Sequence, residues 1–361
     1  MRIRTKSSAF WLTLLAVLAG PVLRAEYPAP KEGNFTIHDF KFKSGESLPE
    51  LRLHYMTIGQ PARDAQGRVT NAVLIMHGTG GSGKNFLSPQ FAGELYGPGQ
   101  PLDATRYYII LPDSVGHGGS SKPSDGLRAR FPQYDYDDMV AAQHRLVTEG
   151  LGVNHLRLVM GTSMGCMHTW VWGETYPDFM DAMMPLACQP VAIAGRNRMW
   201  RKLVMDAIRA DPDWKGGEYT EQPQRALRNA LGLLLMAGSA PLLMQQNQPT
   251  RDAADEHIET YMKNRSAGLD ANDLLYQVNS SRYYDPSPKL GEIKAPVMFV
   301  NSADDFINPP ELGIAEREIR KVKNGRFVLL PESLETRGHG THTRAVVWKQ
   351  YLEELLKSSA R

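Results

Sequence analysis

Apolar residues in this chain follow two rhythms. Short runs recur at Ala72–Met76 (AVLIM), 107–111 (YYIIL), 156–160 (LRLVM), 297–300 (VMFV) and 327–330 (FVLL), most bounded by Gly, Pro, Asp or Asn. Runs that are apolar on both faces suit strands in the middle of a parallel sheet covered by helices. Residues 51–58 instead alternate apolar and polar positions over much of their length, the pattern of a half-buried edge strand, and an earlier strand is expected near 35–42. Helical stretches lie between runs, over 137–149 and 164–176, and a closing helix is expected over about 344–357. Strands alternating with helices predict an α/β fold with a mostly parallel, right-handed central sheet flanked by helices.

Residues 190 to about 290 break that rhythm. They are rich in Met, Leu, Arg and Gln and show helical character without a clear strand; the strand–helix alternation resumes at Pro296. A helical insertion in an α/β core reads as a lid over the carboxyl ends of the strands. The expected organisation is therefore a core in two parts, 26–189 and 291–361, separated by a helical lid over 190–290.

The first 25 residues are of a different kind. Arg2, Arg4 and Lys6 make a basic start, residues 9–22 are apolar apart from Thr13, and Ala19 and Ala25 are small residues suited to cleavage. That order is the order of a secretory signal peptide, and the apolar run is shorter than the roughly 20 residues that span a bilayer. The expectation is a periplasmic or secreted protein with no stable membrane anchor once residues 1–25 are removed. Over the whole chain the 41 basic and 39 acidic residues nearly cancel, which gives no footprint for a nucleic-acid partner. Two cysteines follow the leader, Cys166 and Cys188. An even count permits one disulfide, but the apolar context of each favours two separate buried thiols.

The candidate chemistry starts at Gly161-Thr162-Ser163-Met164-Gly165, directly after an apolar run and directly before a helical stretch. A G-x-S-x-G at a strand–helix junction is a nucleophile elbow, where side chains two residues either side of the serine would clash. A serine hydroxyl needs a base, and the base needs an orienting carboxylate. Both should follow the serine in chain order, each beyond a strand end. Asp304 and Asp305 follow the run at 297–300; Asp305 is preferred because Pro309 stands four residues on, and Asp304 is read as a turn-capping group. After the last run, His339 and His342 stand three apart; the Gly338-His339 pair favours His339 as base, with His342 the alternative. Two histidines alone do not make a closed zinc site, so no metal and no organic cofactor is implied. The developing oxyanion needs donors, each worth about 3–4 kcal/mol. One is the backbone N–H of Met164; the other is expected from the Gly-rich loop at His77, with Thr79 first and Gly80 next. That loop lacks the spacing of either phosphate-binding motif.

With these residues in place, the sequence resembles the homoserine O-acetyltransferase branch of the α/β-hydrolase superfamily over roughly residues 35–357. The likeness is carried by Phe131-Pro132 with Asp138-Met139-Val140 and Gln143, by the elbow with Met167, by Asp211-Pro212-Asp213-Trp214 with Gly217-Glu218-Tyr219, and by Asp305 before Pro309-Pro310. The resemblance implies the α/β-hydrolase fold, a Ser–His–Asp enzyme that forms an acyl-enzyme on Ser163, and a lid that shapes the tunnel to it. The chain departs from the branch in two places. Cys166 stands where a second glycine is usual, and Arg228 does not clearly match the late-lid arginine of the transferases. The expected activity is ester hydrolysis on a small to medium acyl substrate, with transfer to an alcohol such as homoserine as the alternative. The expected partner is a small-molecule ester; a homodimer is also open to it.

Overall fold

The computed structural model describes residues 27–360, so the leader expected at 1–25 lies outside the described residues. The expected runs are strands of one eight-stranded sheet, in the order β1-β2-β4-β3-β5-β6-β7-β8. They are β1 Lys31–Lys41, β2 Ser47–Ile58, β3 Ala72–Met76, β4 Tyr108–Pro112, β5 Leu158–Thr162, β6 Met183–Leu186, β7 Val297–Ser302 and β8 Gly325–Leu330. The first two form an antiparallel hairpin whose register sets Ile37 opposite Leu51, and β2 joins β4 antiparallel. From β4 across to β8 every pairing is parallel. All five residues of β3, β4 and β5 are buried, which is why these segments read as continuous apolar runs. Alternate side chains feed two layers. Leu74 and Met76 pack into a layer with Met139, Val140 and Trp170, while Val73 and Ile75 pack into one with Phe86, Tyr96 and Trp348. Trp170 and Trp348 are fully buried, and truncating such a side chain to alanine costs about 3–5 kcal/mol.

The pattern did not single out β6. Its sequence is Met-Met-Pro-Leu, and Pro185, which has no N–H for the ladder, sits opposite Gly161. Methionine and proline are weak strand formers, and here burial between β5 and β7 overrides propensity.

The helices are α1 Ala92–Leu95, α2 Tyr136–Arg145, α3 Met164–Thr175, α4 Gly195–Arg209, α5 Gln224–Gly238, α6 Pro241–Asn247, α7 Arg251–Ser266, α8 Ala271–Asn279, α9 Ile314–Glu318 and α10 Lys349–Ser358. Helix α2 opens on a capping box between Asp135 and Asp138. The expected closing helix starts five residues late, because two short 3₁₀ turns precede it and Trp348 leaves helical dihedrals. Between β6 and β7 the chain forms α4 to α8 and no strand among the described residues.

One expectation is overturned. Cys166 and Cys188 are joined, with Cα atoms 5.8 Å apart. Both are buried as their contexts suggest, but parallel pairing of β5 with β6 brings the first turn of α3 beside the residue two past β6. That adjacency is a property of strand order, which the 22-residue spacing does not display.

Candidate active site

Ser163 sits between the last residue of β5 and the first of α3, with φ 54° and ψ −109°. A non-glycine residue in that region carries strain of about 1–3 kcal/mol, held here by the structure on either side. Its N–H donates to the Leu186 carbonyl at 2.9 Å, anchoring the turn to β6. The flanking glycines are needed for space. A Cβ on Gly161 would run into the Gly165 carbonyl, and one on Gly165 would run into the Met76 carbonyl. Gly78, from the loop after β3, lies so close that a Cβ there would be 3.2 Å from the Ser163 Cβ.

The loop after β8 brings His339 to this serine. Its Nε2 is 2.8 Å from Ser163 Oγ and its Nδ1 2.9 Å from Asp305 Oδ2. A carboxylate only accepts, so Nδ1 carries the proton and Nε2 presents its lone pair to the serine hydroxyl. Asp305 is 2% exposed. It also accepts from the Ile307 N–H at 2.8 Å, the Asn308 N–H at 3.2 Å and Asn308 Nδ2 at 2.8 Å. Burial pushes its pKa up, but the His339 imidazole and these donors outweigh burial and hold it below the usual carboxylate value.

The two alternatives take other positions. Asp304 accepts from the Thr336 hydroxyl and the Gly338 N–H, each at 2.8 Å, and from the Ser302 hydroxyl, so it ties the His339 loop to the end of β7. His342 makes no hydrogen bond to Ser163 or Asp305; its ring stands 5.3 Å from that of His339. Burial, and then the neighbouring His339, lower its pKa to about 3, so it is neutral across the physiological range. The structure brings together Ser163, His339 and Asp305.

Met164 is the first residue of α3, so its N–H is one of the four that a helix start leaves without an intrahelical acceptor. Thr79 is in a turn closed by a 3.0 Å bond from the Gly81 N–H to the Gly78 carbonyl, which leaves the Thr79 N–H outside it. His77 braces this turn: the Ser114 N–H donates to its Nε2 at 3.0 Å, so its Nδ1–H donates to the Gly78 carbonyl at 2.9 Å. Full burial lowers the His77 pKa and keeps it neutral in that role.

Ser163 and His339 open into a cavity of about 600 Å³. Its wall runs along Met167, Cys188, Val191, Ile193, Ile307 and Leu312. The family profile described as alpha/beta hydrolase fold matches residues 71–333. The chain belongs to the α/β-hydrolase family. It is 31% identical over 279 residues to a probable acyltransferase of Methanothermobacter thermautotrophicus, covering 77% of this chain and 84% of that one. It is 30% identical over 309 residues to the homoserine O-acetyltransferase of Moorella thermoacetica, covering 74% and 80%. Among solved structures, the acetyl esterase MekB superposes with a TM-score of 0.79 at 25% identity, over 91% of this chain and 97% of that one. This α/β-hydrolase is therefore an enzyme of the homoserine O-acetyltransferase-like branch, with esterases and acyltransferases around it.

Sequence reasoning missed three features of this hydrolase's site. The Cys166–Cys188 disulfide joins the first turn of α3 to the cavity wall. Asn301 grips Cys188 from β7, its Oδ1 accepting from the Cys188 N–H at 3.2 Å and its Nδ2 donating to the Cys188 carbonyl at 2.9 Å. Arg201, in α4, is buried in the same wall. A Met- and Arg-rich helical segment gave no signal separating Arg201 from the exposed arginines around it.

Proposed function

We propose that this chain is an exported serine esterase that works through an acyl-enzyme on Ser163. The observation that carries the reading is the unbroken hydrogen-bonded chain from Ser163 Oγ through His339 to buried Asp305, opening on a largely apolar cavity. His339 Nε2 takes the hydroxyl proton as Oγ attacks the ester carbonyl, and Asp305 stabilises the imidazolium that forms. The Met164 and Thr79 N–H groups receive the oxyanion. His339 then gives its proton to the leaving alcohol, and a water, deprotonated in turn by His339, releases the acid and restores the serine.

Transfer to homoserine is the second reading, favoured by the acyltransferases among the relatives. Water as acceptor is supported by the late lid. Arg228 is on the surface, where it pairs with Glu259 at 2.6 Å, and it does not line the cavity at Ser163. Export is supported by the pattern of residues 1–25 and by the disulfide, a bond favoured in oxidising compartments.

The test is acyl partitioning by the purified mature protein, given an activated acetyl ester with and without homoserine. Release of acetate that homoserine does not divert is the expected result. Substantial O-acetylhomoserine formed at the expense of acetate would overturn hydrolysis in favour of transfer. For export, N-terminal sequencing of the protein from the envelope or medium should begin at Gly20 or Glu26; a full-length cytoplasmic chain would reject it.

A further inference from the structure

Arg201 is 2% exposed, and among the described residues it is the only lysine or arginine that is fully buried. Its Nε donates to Asn197 Oδ1 at 3.0 Å and its Nη1 to Ser281 Oγ at 3.2 Å. Both partners are neutral. The charged or titratable groups that bear on it are the Tyr136 phenol and a like charge, Arg198. No carboxylate forms an ion pair with it among the described residues, whereas the buried carboxylates of Glu318 and Asp211 are paired, with Arg317 and Lys321 and with Arg225. Hydrogen bonds to neutral oxygens satisfy a guanidinium's protons but leave its charge uncompensated, a costly state for a buried ion.

Arg201 lines the cavity that opens at Ser163, its guanidinium 4.5 Å over the Trp200 ring and paired with no carboxylate among the described residues. The start of α4 lines the same cavity through Ala194, Gly195, Arg196 and Asn197. The N-cap, Ala194, offers no side-chain acceptor, and the first turn holds no acid. The positive end of a 15-residue helix and a buried guanidinium thus meet one space. The one acid on the cavity wall is Glu311, which is exposed.

We propose that Arg201, helped by the uncapped start of α4, receives a carboxylate carried by the substrate, so that this enzyme selects anionic esters over neutral ones. This rests on Ser163 being the nucleophile. The carboxylate can belong to the acyl part, as in a dicarboxylic half-ester, or to the alcohol part, as in an acylated hydroxy acid. In both cases the ester bond breaks as derived above, and Arg201 is a specificity residue that takes no proton.

The test is a pair of matched comparisons. Monoethyl glutarate against ethyl pentanoate reads the acyl side; 4-acetoxybutanoate against butyl acetate reads the alcohol side. In wild type, one anionic ester should have kcat/KM at least about tenfold above its neutral partner. In R201M that ratio should fall by about 10- to 100-fold, mainly through KM, with R201K between the two. R228Q, altered at the surface, should keep the wild-type ratio. A wild type that prefers the neutral ester on both sides, or an R201M ratio equal to wild type, would overturn the proposal. If R201M does not fold, wild type decides alone: pentanoate should protect against thermal unfolding and pentanamide should not, and equal effects refute the idea. That measurement needs no turnover. Failure of the esterase reading is seen separately, as ester hydrolysis that survives Ser163→Ala.

Discussion

Two buried aspartates in this molecule hold a histidine in nearly the same way. Asp305 accepts from His339 Nδ1 at 2.9 Å and from two backbone N–H groups of its own loop. Asp113, just past β4, accepts from His54 Nδ1 at 2.9 Å and from the N–H groups of Gly83 and Gly119 at 2.7 and 2.8 Å. The pairs part company at the far nitrogen. His339 Nε2 meets the hydroxyl of a strained serine at the mouth of a cavity, whereas His54 Nε2 faces the exposed carboxylate of Glu32 at 3.7 Å. A buried aspartate–histidine pair is therefore a common way to fasten loops to a sheet. Chemistry begins only where the distal nitrogen is aimed at a group that can attack and a space that can hold a substrate.

Ser163→Ala presses hardest on that distinction. It should cut ester turnover by about 10⁶-fold while leaving the His339–Asp305 pair in place. A loss of only a few-fold would make the two pairs equivalent after all. Asp305→Asn comes next. An amide can stabilise the wrong tautomer of His339, and kcat should drop by about 10⁴-fold in a protein that still folds. His54→Ala is the counterpart on the other side. It should lower stability by about 1–2 kcal/mol through the orphaned Asp113 acceptor, visible in urea denaturation, and leave kcat within a few-fold. A loss of activity comparable to that of His339→Ala would refute the division drawn here.

The smallest effect is a pH dependence. The folded-state pKa of Asp305 lies below its unfolded value, so its ionisation stabilises the fold above about pH 4 and that contribution is lost as pH falls through the folded value. The stability gap between wild type and Asp305→Asn should thus be widest near neutrality and narrow below about pH 4. A gap that widens on acidification would mean the carboxylate is not held ionised by His339.

Much of this was legible in the chain because steric demand leaves marks. Gly161 and Gly165 can be read from sequence since no side chain fits beside the Met76 carbonyl or within the elbow, and β3, β4 and β5 declare themselves by burial on both faces. Asp304 and Asp305 are adjacent and chemically identical; the preference for Asp305 rests on Pro309 alone, and the fold sets Asp304 on the loop and Asp305 on the imidazole. His339 and His342 differ likewise in what surrounds them. The disulfide and the buried Arg201 were out of reach for a different reason: each depends on which elements pack side by side, and local pattern carries nothing about that.

The bond between His339 and Ser163 joins residues 176 positions apart. At synthesis rates of about 5–20 residues per second, roughly 10–35 s separate the appearance of the serine from that of its histidine. A nascent chain therefore carries its hydroxyl for about half of its time on the ribosome with no His339 to deprotonate it. The proposed triad is complete only with β8 paired to β7, because the loop after β8 carries His339 to Ser163. Any product shortened before residue 339 lacks both that histidine and the buried Trp348 of the closing segment, however intact its elbow.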